Sequence, residues 1–230
     1  MKIVEFLHDA DHPSVPSNLD IWIQTNGLPA SQKIHIDRNE DFPKLYDFDL
    51  AVLHGGRQHL WNKDADPWLY GEVEYVRMLL REGKPVIGFG MGAGILAQAL
   101  GAPAYRCGDE EQGFYFIRPW KEGSTHPLLH GLERGFYSYM SHSDHYALSA
   151  YCSLARSSVS PSAMFAVDKV PAVGFQFHPE YTQAMIAVKG GDLSRHAADT
   201  YAIFARLMEN ALQWLGCKVE REPVYTCGKM

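Results

Sequence analysis

The segment KPVIGFGMGAGILAQALG, residues 84–101, constrains the fold more than any other part of the chain. Its first half is a short apolar run typical of a buried strand, and its second half is an apolar helix that Gly101 ends. Between the two, four glycines fall within residues 88–94. A strand, a tight turn and a helix in this order usually display a nucleophile at the tip of the turn. Here the residue at the tip is Gly90, which has no side chain.

Short β-rich runs alternate with helical patterns along the first half of the chain. The expected strands there are residues 2–8, 33–37, 49–56 and 85–89. The expected helices carry two apolar stripes, Val15, Leu19, Trp22 and Ile23, then Leu69, Val73, Val76 and Leu80. This order predicts a parallel sheet that helices cover on both faces.

The second half of the sequence is richer in β-structure. The expected strands there lie near 113–118, 136–140, 163–168 and 172–177, before a last helix from Tyr201 to Leu215. We expect these strands to extend the sheet in antiparallel fashion. The predicted fold class is therefore α/β, with three layers, a flavodoxin-like, mostly parallel sheet and an antiparallel extension.

Length and composition set the class of protein. The 230 residues, 46% hydrophobic and 21% charged, are enough to bury a full core in one domain, residues 1–217, followed by a polar tail, 218–230.

The net charge is −6 and the basic residues are scattered, which argues against nucleic acid and membrane surfaces as partners. No apolar run approaches the roughly 18 residues of a membrane helix, and no signal peptide is recognisable. We expect a cytoplasmic protein.

Cysteine and histidine spacing does not predict a metal site. Four cysteines lie far apart without a C-x-x-C pair, so we expect reduced thiols and no zinc site. The two histidines of HPLLH, residues 126–130, belong to an expected loop. The stretch SHSDH, residues 141–145, lacks a third ligand at a recognisable spacing. The sequence therefore predicts no metal and no cofactor.

Residues that directly follow the strands are the candidates for chemistry, because ligands of an open parallel sheet bind at the carboxyl ends of its strands. Gly55 and Gly56 end one strand and can present backbone N–H groups to an oxyanion, although a tight turn is the better explanation of a lone Gly-Gly. Met91 begins the helix after the glycine turn and can supply a second N–H. His178 and Glu180 follow a third strand, and a carboxylate so placed can orient a histidine as a general base.

These segments together resemble the class I, or triad, glutamine amidotransferases, and most closely the stand-alone relatives of the GMP synthase amidotransferase domain. The resemblance runs from about Phe48 to Thr182 and rests on four stretches. They are DLAVLHGG, the long segment from PWLYGEVEY to AQALGA, THPLLHGLERGFYSYMSHSDHYAL and VGFQFHPEYT. In such enzymes a cysteine at the strand–helix turn attacks the glutamine amide, a His–Glu pair activates it, and the ammonia passes to a synthetase.

The resemblance assigns a role to each candidate position. It places Gly90 where the family has its cysteine, and it makes His178 the base and Glu180 its orienting partner. The amides of Gly56 and Met91 would be the oxyanion donors. Ser141 and His142 fall where the family's substrate-lining loop passes.

The departures from the family pattern matter more than the matches. The family reads G-x-C-x-G-x-Q at the turn, whereas this chain has Gly90 and Gly94 at the cysteine and glutamine positions. Without a sulfur atom at residue 90, His178 has nothing adjacent to deprotonate except water. Cys107, Cys152, Ser141 and Ser143 are alternative nucleophiles, but the sequence places none of them at a strand–helix turn.

Three interpretations follow. The leading one is a degenerate amidotransferase that binds a small ligand in the former glutamine cleft, or regulates a partner such as a separate synthetase or a second copy of the chain. The second is a repurposed hydrolase or transferase in which His178 and Glu180 activate water or a serine. The third is a working amidotransferase whose cysteine was deliberately replaced at residue 90. Gly94 argues against the third, because disabling one nucleophile does not require removing the pocket glutamine.

Overall fold

The computed structural model describes residues 1–8, 15–149, 152–191, 193 and 195–219, so the predicted tail beyond residue 219 lies outside the described part. Nine strands of the described chain form one sheet. They are β1 (Ile3–Leu7), β2 (Gln32–His35), β3 (Leu50–Leu53), β4 (Val86–Phe89), β5 (Ala104–Pro119), β6 (Phe136–Tyr146), β7 (Ser153–Arg156), β8 (Met164–Ala166) and β9 (Ala172–Phe175). Their spatial order is β2-β1-β3-β4-β9-β8-β7-β5-β6.

The parallel part of the sheet consists of β2, β1, β3, β4 and β9. Every residue of β1, β3, β4 and β9 is buried. Such uniformly buried strands are typical of a parallel sheet with both faces covered. The predicted mostly parallel α/β fold is confirmed.

Helices cover both faces, which gives the three predicted layers. They are α1 (Asn18–Thr25), α2 (Trp68–Arg81), α3 (Met91–Ala99), α4 (Gln183–Val188) and α5 (Thr200–Trp214). Apolar residues of α1 and α5 share one core cluster with Val52, and residues of α2 and α3 share another with Leu53. Neighbouring residues of β3 thus point into opposite cores, as the pleat of a strand requires.

The other four strands confirm the predicted antiparallel extension, with one correction. Strands β8, β7, β5 and β6 are linked by antiparallel pairing. However, β9, which we expected among the antiparallel strands, runs parallel to β4, with Phe89 opposite Phe175. The chain returns to the middle of the sheet at this point, and that position brings the segment after β9 beside the glycine turn after β4.

Three elements differ from their sequence predictions. Strand β5 begins at Ala104 and not near residue 113, because its first half is a polar run whose pairing depends on β6. Strand β7 and helix α4 were not predicted, since both are too short to show a clear period. Within the described residues, no helix is long and apolar enough to cross a membrane.

Helix α3 lies unusually close to β3, and a glycine permits this contact. A Cβ atom built on Gly92 would overlap the carbonyl oxygen of Leu53 and lie 2.5 Å from its carbonyl carbon. Backbone atoms cannot swing aside as a flexible side chain can. The short distance between helix and strand therefore requires glycine at residue 92.

We predict that Gly92→Ala lowers the free energy of unfolding by about 1–3 kcal/mol, because the new methyl group forces α3 away from β3. Gly71→Ala is the matched control in α2, where the new Cβ would meet only Phe42, at 3.9 Å. That control should gain about 0.5–1 kcal/mol from the higher helix propensity of alanine. Urea-induced unfolding of both variants measures the difference. Equal stability of Gly92→Ala and the parent protein would contradict the close packing.

Candidate active-site cleft

A cavity of about 250 Å³ opens at the carboxyl ends of the parallel strands, where ligands of such sheets bind. The predicted residues that line it come from three separate parts of the chain: Gly55, Gly56, Gly90, Met91, Gly94, Ser141 and His142. The structure therefore brings the sequence-predicted residues of the cleft together. His178 and Glu180 lie behind this lining, as described below.

The turn after β4 has the backbone of a displayed elbow. Gly90 has φ +54° and ψ −119°, a region that residues with side chains rarely adopt, and α3 begins at the next residue, Met91. The N–H of Gly90 donates to the carbonyl oxygen of Phe175 at 2.8 Å, which ties the turn to the end of β9. The turn therefore sits beside the segment that carries His178.

His178 and Glu180 form the predicted pair. Nδ1 of His178 donates to Oε1 of Glu180 at 2.8 Å, and both side chains are buried. The ring of Tyr181 stacks on the imidazole with centroids 4.3 Å apart. Since Nδ1 donates to the carboxylate, Nε2 is the acceptor of the neutral ring. This is the arrangement of a general base held in one tautomer.

The imidazole of His178 occupies the space that a side chain at residue 90 would need. A Cβ atom built on Gly90 would lie 2.7 Å from Nε2 of His178 and closer still to Cε1. A Cβ built on Gly55 would lie 2.7 Å from the same Cε1. The ring is thus wedged between two glycines and only 3% exposed. Neither glycine can gain a side chain unless the ring moves.

Leu60 fills the corresponding space beside Gly94. A Cβ atom built on Gly94 would overlap Cδ1 of Leu60. Asp144 fixes this leucine by accepting hydrogen bonds from the Leu60 N–H at 2.9 Å, from Nε1 of Trp61 at 2.9 Å and from Nδ1 of His59 at 2.8 Å. The segment 59–61 is therefore fastened to β6 across the cleft. Sequence reasoning missed Asp144, because its partners are more than 80 residues away.

The Gly55–Gly56 turn rests on a buried His–Glu pair. Nδ1 of His8 donates to the carbonyl oxygen of His54 at 2.8 Å, and Nε2 donates to Oε1 of Glu72 at 2.7 Å. Both neighbours are acceptors, so the ring that satisfies both carries two protons. Burial opposes this charge, but the Glu72 carboxylate and hydrogen bonds to the backbone of His54 and Gly55 together outweigh burial, so the pKa of His8 is raised above its ordinary value.

Ser141 and His142 lie within strand β6, whereas the resemblance placed them in a substrate-lining loop. His142 pairs across the sheet with Glu111 of β5, and its Nε2 lies 3.0 Å from Oε2 of Glu111. His145 joins the same group, in which one ligand-type atom of each residue lies within 4.8 Å of the others. Burial and the neighbouring His142 lower the pKa of His145. The third member that the sequence did not reveal is thus Glu111, on another strand.

Asn18 is a further residue that sequence reasoning missed. Its side-chain Nδ2 donates to the carbonyl oxygens of Pro179 at 2.8 Å and Tyr181 at 3.0 Å, and its backbone N–H donates to the carbonyl oxygen of Glu180 at 2.8 Å. These three bonds hold the His-Pro-Glu segment against the start of α1. A buried asparagine at a helix start looks like an ordinary capping residue in sequence, so no local signal marks this role.

The remaining candidates do not join the cleft chemistry. Nδ1 of His126 accepts a hydrogen bond from the Leu128 N–H at 3.3 Å and caps a short 3₁₀ turn, so HPLLH is a structural element. Burial raises the pKa of the Cys152 thiol, which makes it a poorer nucleophile at neutral pH. The side chain of Cys107 lies outside the described part of the chain.

The fold and site together define an α/β protein with a strand–turn–helix elbow that faces a His–Glu pair. The family model described as glutamine amidotransferase class-I matches residues 21–186, and the chain belongs to this family. Among solved structures, a glutamine amidotransferase from Thermotoga maritima has a TM-score of 0.78 at 19% identity, covering 95% of this chain and 98% of that one. A glutamine amidotransferase from Methylobacillus flagellatus has a TM-score of 0.76 at 20% identity, covering 99% and 98%. These likenesses establish the fold.

Curated relatives carry the same domain within longer proteins. A GMP synthase [glutamine-hydrolyzing] from Thermus thermophilus is 33% identical over 136 residues, which are 56% of this chain and 24% of that protein. The enzyme of the same name from Thermosipho melanesiensis is 29% identical over 155 residues, 66% of this chain and 28% of that protein. The chain thus spans about a quarter of the length of the curated relatives it matches.

The His8–Glu72 pair predicts a pH-dependent stability. A raised pKa means that the folded protein holds the His8 proton more tightly than the unfolded chain, whose ordinary value is 6.5. The pair's contribution is therefore complete below that value and is lost as the pH rises through the higher pKa of the folded state. We expect Glu72→Gln to lower the free energy of unfolding by about 1.5–3 kcal/mol near pH 6 and by less as the pH rises.

Urea unfolding of the parent and Glu72→Gln between about pH 6 and 9 measures this dependence. Glu74→Gln is the matched control, since Glu74 lies on the same helix with a side chain that is 66% exposed. Its effect should be small and nearly constant over this range. A stability difference for Glu72→Gln that does not vary with pH would show that His8 is not protonated in the folded protein.

Proposed function

We propose that this class I glutamine amidotransferase-like protein is not a glutaminase, and that it acts as a ligand-binding or regulatory member of its family. The observation that carries the proposal is the position of the His178 ring, which fills the space that the Cβ of a nucleophile at residue 90 would occupy. The general base is present and oriented, but the atom that it would activate is missing.

The chemistry of the family depends on that atom. By the resemblance, a cysteine sulfur attacks the glutamine amide and divides the hydrolysis into two easier steps. Removal of the nucleophile from comparable catalytic triads reduces turnover on the order of 10⁶-fold. Gly90 supplies no nucleophile, and Gly94 lacks the side chain that would line a glutamine pocket. Both losses fall in the same turn and support a change of function.

The cleft persists without the nucleophile, which supports ligand binding. Its cavity of about 250 Å³ retains polar groups from Ser141, Asp144 and Gln176. A partly open cavity with both polar and apolar lining suits a small molecule. The proposal includes a separate synthetase or a second copy of the chain as the regulated partner, by analogy with the amidotransferase domain of GMP synthase, and a cytoplasmic location.

The intact His178–Glu180 bond favours a second candidate, a hydrolase in which the pair activates water. Burial works against it, because His178 is only 3% exposed and its ring is wedged between Gly55 and Gly90. A substrate or water molecule reaches Nε2 only if the ring moves. The second candidate therefore requires a rearrangement that the first does not.

We predict that the purified protein releases no ammonia from L-glutamine above the rate without enzyme. A cysteine at residue 90 must displace the His178 ring in either variant. Gly90→Cys alone should remain inactive, because residue 94 then still lacks the side chain that would line a glutamine pocket and Leu60 fills that space. Gly90→Cys with Gly94→Gln should recover partial activity, since Leu60 can withdraw and a glutamine pocket is restored. An ammonia-coupled assay measures all three proteins, and thermal unfolding checks that each one is folded.

The control for this experiment is His178→Ala. Added to the double variant, it should abolish the recovered activity, because the cysteine then lacks its base. Glutaminase activity in the parent protein that disappears with His178→Ala would overturn the proposal. Hydrolysis of esters or γ-glutamyl amides by the parent, again lost with His178→Ala, would favour the second candidate.

A further inference from the structure

We propose that Glu111, His142 and His145 form a binding site for one divalent transition-metal ion of the zinc class, on the wall of the cleft. Neither the family resemblance nor the sequence pattern assigns such a site, and the sequence analysis expected no metal. The inference does not depend on the loss of glutaminase activity.

The three side chains already converge. One ligand-type atom from each lies within 4.8 Å of the others, and Nε2 of His142 lies 3.0 Å from Oε2 of Glu111. Zinc bonds of about 2.0–2.2 Å in a tetrahedral site separate the ligand atoms by about 3.4 Å. No pair of these atoms therefore has to approach by more than about 1.4 Å, which side-chain rotation can supply.

The same polar atoms are buried and lack hydrogen-bond partners among the described residues. Glu111 is completely buried, and its Oε2 lies 3.0 Å from Nε2 of His142, but this contact lacks hydrogen-bond geometry, so neither carboxylate oxygen has a hydrogen-bond partner within the described part of the chain. The Nε2 atoms of His142 and His145 are also buried and lack a hydrogen-bond partner among the described residues. A buried carboxylate that is not hydrogen-bonded is costly, so such groups usually pair or bind a metal. A cation between the three side chains would bind one of these atoms from each residue.

An irregularity in the sheet builds this cluster. The register of β5 and β6 shifts between the pairs Arg106–Asp144 and Glu111–His142. In a regular strand, residues three apart such as His142 and His145 point to opposite faces. Irregular pairing bends a strand and turns side chains toward a site, which accounts for the approach of both imidazoles to Glu111.

A hydrogen bond from Gln176 determines which ring nitrogen of His142 carries the proton, and metal binding must displace that proton. Its Nε2 donates to Nδ1 of His142 at 3.3 Å and to the carbonyl oxygen of Asp144 at 2.5 Å. Because Nδ1 accepts, the proton of the neutral His142 ring lies on Nε2, which faces Glu111. Metal binding at Nε2 leaves the ring proton on Nδ1, so the hydrogen bond that Gln176 donates to Nδ1 must then break. The bond between Gln176 and His142 is the longest hydrogen bond of this amide and the one that must yield.

The donor set indicates which ion fits. Two imidazoles and one carboxylate suit zinc and its transition-metal neighbours, whereas magnesium and calcium prefer oxygen ligands alone. All three residues line the cavity, so a fourth coordination position faces the space available to a ligand. Three protein ligands with one open position are typical of zinc sites that bind water or a substrate. A ligand with a carboxylate or hydroxyl group could occupy that position.

The test is calorimetric titration of the chelator-treated, full-length protein with zinc chloride. We expect one equivalent to bind, and at least about tenfold weaker binding in Glu111→Gln and in His142→Ala. His130→Ala is the matched control, because its ring is 78% exposed and lies outside the cluster. The parent with its four cysteines alkylated should bind as before, which excludes thiol ligands. Zinc should also raise the thermal unfolding temperature of the parent by more than that of Glu111→Gln.

Glu111→Gln preserves the size of the buried side chain, and circular dichroism establishes that it is folded. The double variant Glu111→Gln with His145→Ala should bind no zinc in the cleft. Failure of the parent to bind zinc would overturn the proposal. Parental affinity and stoichiometry in the double variant would overturn it as well, since zinc would then bind elsewhere.

Discussion

At the carboxyl end of β4, the backbones of a strand, a helix and a neighbouring strand approach so closely that only glycine fits between them. A Cβ atom on Gly88 would lie 2.5 Å from the carbonyl oxygen of Gly92, and one on Gly92 would overlap Leu53. These contacts fix where α3 begins and therefore where Gly90 is displayed. This packing determines where the elbow, the cleft and the His178–Glu180 pair lie, because backbone atoms cannot relax as side chains do.

The same absence of side chains has a different consequence at Gly90. Glycine there is compatible with the positive φ of the turn, but it also leaves a volume that the His178 ring fills. Close packing favours such filling, since an empty space beside the ring would forfeit dispersion contacts. Leu60 fills the space beside Gly94 in the same way, with Asp144 holding its backbone. Residues 90 and 94 are therefore part of a packed interior, so a side chain at either position requires His178 or Leu60 to move.

The sequence predicted those parts of the structure that depend on local patterns. The parallel strands, the glycine elbow and the His178–Glu180 pair lie within short segments whose period or spacing carries the signal. The direction of β9 was wrong, because strand direction depends on where the chain re-enters the sheet. Glu111 was missed since the register of β5 against β6 is set by tertiary pairing, and the polar run that contains it gives no strand period. Asn18 and Asp144 act through partners far away in the chain, which no single-sequence pattern records.

Two of the histidine–carboxylate groups near the cleft, the His178–Glu180 pair and the cluster around Glu111, differ in how many hydrogen bonds their surroundings supply. His178 donates to Glu180, stacks on Tyr181 and is held by Asn18 through the backbone of its loop, so its geometry is fixed without a ligand. Glu111 has no comparable set of bonds within the described chain, although it is equally buried. A buried polar group without partners is unfavourable. A bound cation or hydrogen-bond donor would therefore stabilise the wall formed by β5 and β6 more than it would stabilise the elbow. A ligand of this cleft is therefore expected to bind on the side of β5 and β6 rather than at the glycine elbow.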